Sequence, residues 1–243
     1  MLLLRSIAFN GAFYGWTFLC SVLFLPVLAL PRYFILRAAN LWVIGVVWIC
    51  KHVLGLHIKI IGQEKLLRMP AILAIKHQST WETIIFHYFL SDPAIILKKE
   101  LLWIPFFGWY LKKLQMVPLS RSKKRGMQDL KNLLKKAEKA VGRGQPVLIF
   151  PEGTRSKPGQ KTKYQSGIAS LYLHLKLPVI PVAHNAGLFW PRRGFIKYPG
   201  CITLIMLDPI EPGLSRQEFM RILEKKIESK TNELIREGRS YVT

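Results

Sequence analysis

The sequence predicts an α/β fold, with a central, mostly parallel sheet flanked by helices and an N-terminal hydrophobic anchor of one or two helices. Three observations carry that reading. Residues 71–82 (AILAIKHQSTWE) pass from an apolar run through a polar loop into a helically periodic segment. Strand-to-helix turns of this kind sit at the carboxyl edge of an α/β sheet. Residues 145–156 (QPVLIFPEGTRS) repeat the pattern, a short apolar strand entering a Pro-Gly turn. Residues 7–30 contain no charged side chain, a length sufficient for a helix to cross a bilayer. The expected division is an anchor over 1–56 and an α/β domain over 57–243. A chain of 243 residues, half of them hydrophobic, supports one sizeable core.

A second uncharged run, 38–50, is shorter. It reads either as the centre of a second membrane helix, with Arg37 and Lys51 reaching the headgroups, or as a helix lying in the interface. A secretory signal peptide competes for the first run, because Arg5 precedes it and Val27-Leu28-Ala29 resembles a cleavage site. The length of the run and the hydrophobic segment that follows favour an anchor. Cys20 and Cys50 lie in apolar runs and Cys201 stands apart. Neither a disulfide framework nor a metal cluster is indicated, and a reducing compartment is expected.

His77 and Glu82 are five residues apart, about 500° along a regular helix, so they meet only if His77 lies in the loop. With Ser79 as N-cap, Glu82 falls in the first turn, where the helix dipole favours a carboxylate. Glu82 then has two readings. It orients His77 and leaves the other ring nitrogen to take a proton, or it completes a capping box by reaching back to the Ser79 N–H. Gln78 and Ser79 are supporting candidates. Local pattern does not choose between the two readings.

Residues 97–120 set Trp103, Phe106, Phe107, Trp109 and Tyr110 between lysine pairs, which suits a membrane–water interface or a core. Lys98 and Lys99 before the cluster and Arg121 after it are placed to supply positive charge. Residues 121–143 hold nine basic and two acidic residues. There Met127, Leu130, Leu133, Leu134, Ala137 and Val141 form an apolar helical face beside a stripe of Lys131, Lys135 and Lys139. The next turn presents Glu152, Gly153, Thr154 and Arg155, of which Arg155 can grip a phosphate bidentately; taken alone it is an ordinary surface turn. A short helix over 167–176 and strands over 179–182 and 202–207 follow. An amphipathic helix over 215–237 is opened by a Ser215–Glu218 capping box and stopped by Gly238. His184 reads as a structural or supporting histidine, with no carboxylate near it in sequence.

The formal net charge of +22 calls for an anionic partner. A basic stripe on a domain with an apolar anchor fits an anionic leaflet. Nucleic acid would explain the charge but not the two strand-turn motifs, so no nucleic acid is expected. The chain lacks G-x-S-x-G and H-E-x-x-H, which argues against a covalent acyl-serine and against zinc hydrolysis.

In this order, KHQSTWE, KKELLWIPFFG, FPEGTRS and VIPVAHNAG resemble the four motif blocks of the glycerolipid acyltransferases, over residues 58 to about 213. The resemblance implies transfer of a fatty acyl group from a thioester to the sn-2 hydroxyl of lysophosphatidic acid, giving phosphatidic acid. Glycerol-3-phosphate or a lyso-aminolipid is the alternative acceptor. It implies His77 as the base and Glu82 as its partner, with Lys99, Arg121, Glu152, Gly153, Thr154 and Arg155 around the acceptor and Gln78, Ser79 and Lys98 in support. The donor is acyl-CoA or acyl-carrier protein, and the activated thioester requires no cofactor or metal. The expected setting is the cytoplasmic face of a bacterial inner membrane. Two positions depart from the common family pattern, Glu82 in place of Asp and Ser120-Arg121 in place of Asp-Arg. A membrane-anchored scaffold without catalysis would keep this fold, and the intact His77 and Glu82 argue against it.

Overall fold

The chain begins with two long helices, α1 (Leu2–Leu23) and α2 (Arg32–Ile49), joined through a tight turn at Leu25–Ala29 in a computed structural model that describes residues 1–68, 70–120 and 126–239. A wider turn, Cys50–Leu54, ends the second helix at Gly55, whose φ of 72° suits a residue without Cβ. Seven strands follow: β1 (Leu56–Ile61), β2 (Ile72–Ile75), β3 (Ala94–Lys98), β4 (Val117–Leu119), β5 (Val147–Ile149), β6 (Val179–His184) and β7 (Gly200–Met206). Among them lie α3 (Trp81–Ile84), α4 (Phe86–Phe89), α5 (Phe107–Lys113), α6 (Gly126–Gly142), α7 (Gly167–Leu175) and α8 (Ala186–Phe189), and α9 (Arg216–Arg239) closes the described chain.

The strands form one sheet in the order β1-β7-β6-β2-β5-β3-β4. β6 and β7 are antiparallel and every other neighbouring pair is parallel. The expected mostly parallel α/β sheet is therefore present. Its centre places β2 between β5 and β6, with Ala74 opposite Ile149 and Ile75 opposite Val182. The loops leaving β2 and β5 thus emerge side by side at one edge.

The side-chain period of two in β2 divides the core into two layers. Leu73 and Ile75 pack with α1 and α2, through Phe9, Phe13, Ile35 and Val43. Ile72 and Ala74 face Leu133 and Ala137 of α6, Ile168 and Leu171 of α7, and Phe219, Leu223 and Ile227 of α9. Because both faces are covered, β2 is apolar without alternation. The N-terminal helices and the sheet share one core, with Phe9 and Phe13 meeting Trp190 edge-on. An anchor over 1–56 is distinct in composition but continuous in packing.

Both N-terminal helices are long and apolar enough to cross a membrane. Their outward faces expose Leu4, Phe18, Leu23, Tyr33 and Trp48. Water disfavours such a surface and a membrane accepts it, so membrane association is the setting these helices suit. The aromatic cluster extends the surface: Trp103, Phe106, Phe107 and Trp109 are exposed. Of the five, Tyr110 alone turns inward, donating its hydroxyl to the Ser21 carbonyl at 2.7 Å. A core role for most of these aromatics is corrected.

Three local expectations also change. Met127 is 72% exposed and drops out of the apolar face of α6, while Leu130, Leu133, Leu134, Ala137 and Val141 pack on the core as expected and Ala140 joins them. Gly238 does not stop α9; a Cβ there would come within 3 Å of Leu188 and Asn185, so the glycine permits close packing against α8. The helix expected from Ser79 begins at Trp81 and breaks into α3 and α4.

Candidate active site

The site gathers at the carboxyl edge of β2 and β5. His77 leaves β2 after Lys76, and its backbone is gripped by the turn that follows β5. The His77 N–H donates to Glu152 Oε1 at 2.8 Å, and its carbonyl accepts the Ser156 N–H at 2.8 Å. Gly153, at φ 69°, closes that turn through its N–H to the Phe150 carbonyl, a backbone shape that favours glycine. The Phe150 ring stacks on the imidazole with centroids 4.2 Å apart, which limits rotation of His77.

Glu82 makes the contacts that each of its two readings requires. Its Oε1 lies 2.9 Å from His77 Nδ1 and accepts the N–H groups of Gln78 and Ser79, each at 2.7 Å. One oxygen therefore caps the loop and orients the imidazole. The side chain is fully buried. Burial pushes its pKa up, but His184, the hydrogen bond from His77 and the Ser79 N–H outweigh this and hold the carboxyl below its ordinary range. An ionised carboxylate only accepts, so Nδ1 carries the proton, and among the described residues Nε2 is left without a protein partner.

Ser79 Oγ accepts the Trp81 N–H at 3.1 Å, and Gln78 Oε1 accepts the Gly187 N–H at 3.3 Å. Both side chains are buried and act on the loop rather than on a ligand. His184 lies behind them. Its Nε2 donates to the Lys76 carbonyl at 2.7 Å and its Nδ1 accepts the Ala186 N–H at 3.2 Å. Burial lowers its pKa more than Glu82 raises it, and both ring nitrogens are taken up by backbone groups, which suits a structural histidine. The fold nevertheless supplies the carboxylate absent from its sequence neighbourhood, Glu82 Oε2 at 4.0 Å.

His77 lines a cavity of about 950 Å³. Thr80, Lys98, Gly153, Thr154, Arg155 and Arg192 share its polar wall, while Phe13, Phe24, Ile35, Trp42, Leu111 and Leu114 line an apolar part. Arg155 donates to Thr80 Oγ1 at 2.7 Å, joining the two motif loops. The placement of the other candidates differs from expectation. Lys98 and Lys99 are both exposed, and only Lys98 lines the cavity. Glu152 is buried behind the wall, its Oε1 3.3 Å from Lys76 Nζ, and holds the His77 loop instead of facing a ligand. Arg121 lies outside the described residues. Lys76, Phe150, Arg192 and Glu228 were not anticipated from the sequence. Lys76 and Phe150 carried a signal, since each sits inside a motif block, whereas Arg192 lies five residues beyond the last block. The Lys76–Glu228 contact, at 2.7 Å across 152 positions, carried none.

A family model described as Acyltransferase matches residues 57–185. The chain is 40% identical over 165 residues to the 1-acyl-sn-glycerol-3-phosphate acyltransferase of Pseudomonas aeruginosa, covering 68% of this chain and 63% of that protein. It is 30% identical over 183 residues to the enzyme of the same name from Saccharomyces cerevisiae, covering 73% of this chain and 59% of that one. The aligned stretches thus span less than two thirds of these relatives. A crystal structure of the 1-acyl-sn-glycerophosphate (LPA) acyltransferase from Thermotoga maritima shares the fold, with a TM-score of 0.77 at 20% identity over 96% of this chain and 99% of that one.

Proposed function

Because this chain belongs to the acyltransferase family, whose model matches more than half of it, we propose that it is a 1-acylglycerol-3-phosphate O-acyltransferase. It acylates the sn-2 hydroxyl of lysophosphatidic acid from acyl-CoA or acyl-carrier protein, a step of phospholipid biosynthesis. The observation that carries the reading is the His77–Glu82 pair, whose imidazole lines a cavity that also holds Arg155 and an apolar compartment. His77 Nε2 removes the proton from the sn-2 hydroxyl, and that oxygen attacks the thioester carbonyl carbon. The carbon–sulfur bond then breaks and the imidazolium returns the proton to the departing thiolate. Glu82 holds Nδ1–H throughout and stabilises the transient positive charge on the ring.

Arg155 and Lys98 receive the acceptor phosphate, Gly153 and Thr154 shape the wall beside it, and the apolar compartment takes an acyl chain. Lys99 and Arg121 extend the positive field around that phosphate, and Glu152 fixes the loop that carries the base. We assign residues 1–56 to membrane attachment and place the catalytic domain on the cytoplasmic face of a bacterial inner membrane. The identity to the Pseudomonas enzyme and the pattern of free cysteines support this setting. Purified protein incubated with lysophosphatidic acid, glycerol-3-phosphate and a lyso-aminolipid, each with both donors, tests the assignment. Phosphatidic acid is the expected product, lost by at least about 100-fold in His77→Ala. A preference for either other acceptor refutes it.

A further inference from the structure

Arg192 lies three residues beyond α8, on the same cavity wall as His77, Thr80 and Arg155. Its Nη1 donates to the Arg155 carbonyl at 2.6 Å, and Arg155 in turn donates from Nη1 to Thr80 Oγ1 at 2.7 Å. The two guanidinium-bearing residues are thereby tied to each other and to the loop that carries the base. A guanidinium has five N–H donors, so each keeps most of its donors after these bonds. Among the described residues neither pairs with a carboxylate. Two linked cations without a counter-ion among the described residues, in a cavity that Lys98 also lines, form an anion site whose repulsion is relieved by a doubly charged ligand.

We infer that Arg192 is the second guanidinium of the acceptor-phosphate site and makes that site selective for a phosphomonoester over a phosphodiester or uncharged headgroup. The inference rests on the acceptor reading above. A phosphomonoester presents three terminal oxygens and up to two negative charges, enough for both planar forks. A phosphocholine ester has two such oxygens, one charge and a cation of its own. A plain 1-acylglycerol has none. Arg193, adjacent in sequence and exposed like Arg192, does not line the cavity, so it supplies an internal control.

The test is steady-state kinetics of the full chain with lysophosphatidic acid, 1-acylglycerophosphocholine and 1-acylglycerol, comparing the parent with Arg192→Ala, Arg192→Lys and Arg193→Ala. Loss of a charge-assisted fork raises the lysophosphatidic acid KM by about 10- to 100-fold in Arg192→Ala, with kcat within about threefold. The KM for 1-acylglycerol stays within about twofold, so selectivity for the phosphate collapses, and Arg192→Lys recovers part of it. Arg193→Ala matches the parent. An unchanged lysophosphatidic acid KM in Arg192→Ala, or an equal loss on all three acceptors, overturns the inference while leaving the proposed function intact. A parent inactive on lysophosphatidic acid overturns the proposed function, and this inference with it.

Discussion

Glu82 is the residue whose replacement separates orientation of the proposed base from capping of the loop, because one of its oxygens contacts both. In Glu82→Gln the amide oxygen can still accept the Gln78 and Ser79 N–H groups now held at 2.7 Å. The amide nitrogen would occupy the place of Oε2, which has no hydrogen-bond partner in the parent. One unpaired buried atom replaces another, so the melting temperature should move by only a few degrees. Turnover should respond differently. The imidazolium that forms during transfer loses a carboxylate in contact with Nδ1 at 2.9 Å. Two unit charges about 4 Å apart interact by about 4 kcal/mol at an effective dielectric near 20, or about three orders of magnitude in rate. The assay is thioester consumption at saturating acceptor, with a thermal melt on the same preparations. Glu82→Asp restores the charge but withdraws the oxygen by one methylene, so it should keep more activity than Gln, limited by how far the loop follows. If Glu82→Gln turns over within about threefold of the parent, the carboxylate is a cap and His77 is oriented by something else.

Replacing Arg155 by Lys keeps a charge but removes the planar fork and the bond to Thr80; the acceptor KM should rise by roughly tenfold and the donor KM much less. Equal changes in both would remove Arg155 from the acceptor site. Lys76→Met strands Glu152 and Glu228 in the interior without their shared cation, and urea denaturation should report a loss of about 3–5 kcal/mol. A loss under about 1 kcal/mol would show that the buried cluster relaxes freely. His87 supplies a pH test, since burial, with a smaller contribution from Arg32 and against Asp92, lowers its pKa to about 4. The unfolded chain, titrating near 6.5, binds the proton first as the pH falls, so stability decreases by about 3 kcal/mol between pH 6.5 and 4 and levels off below. His87→Gln should flatten that part of the stability profile, and an unchanged slope would assign it to another group.

The strand, loop and helix around His77 are legible in the sequence because each is written in local periodicity, and the spacing to Glu82 is short enough to constrain their meeting. The motif order likewise identifies the family, since four blocks in sequence restrict one another. Whether Glu82 meets His77 or the loop backbone was not legible, because both readings use the same oxygen and only the three-dimensional structure shows that it contacts both. Lys98 and Lys99 are equivalent in composition; both are exposed, and the course of the chain at the end of β3 brings only Lys98 to the cavity. Glu152 and Arg155 stand in one turn, yet one is drawn inward by Lys76 and the other faces the cavity. The packing of α1 and α2 against the sheet, the Arg192–Arg155 link and the Lys76–Glu228 pair join segments far apart along the chain. Periodicity carries information over a turn or two of helix, whereas these contacts depend on which strands become neighbours. That choice is made by burial of the whole core, so only the tertiary structure determines them.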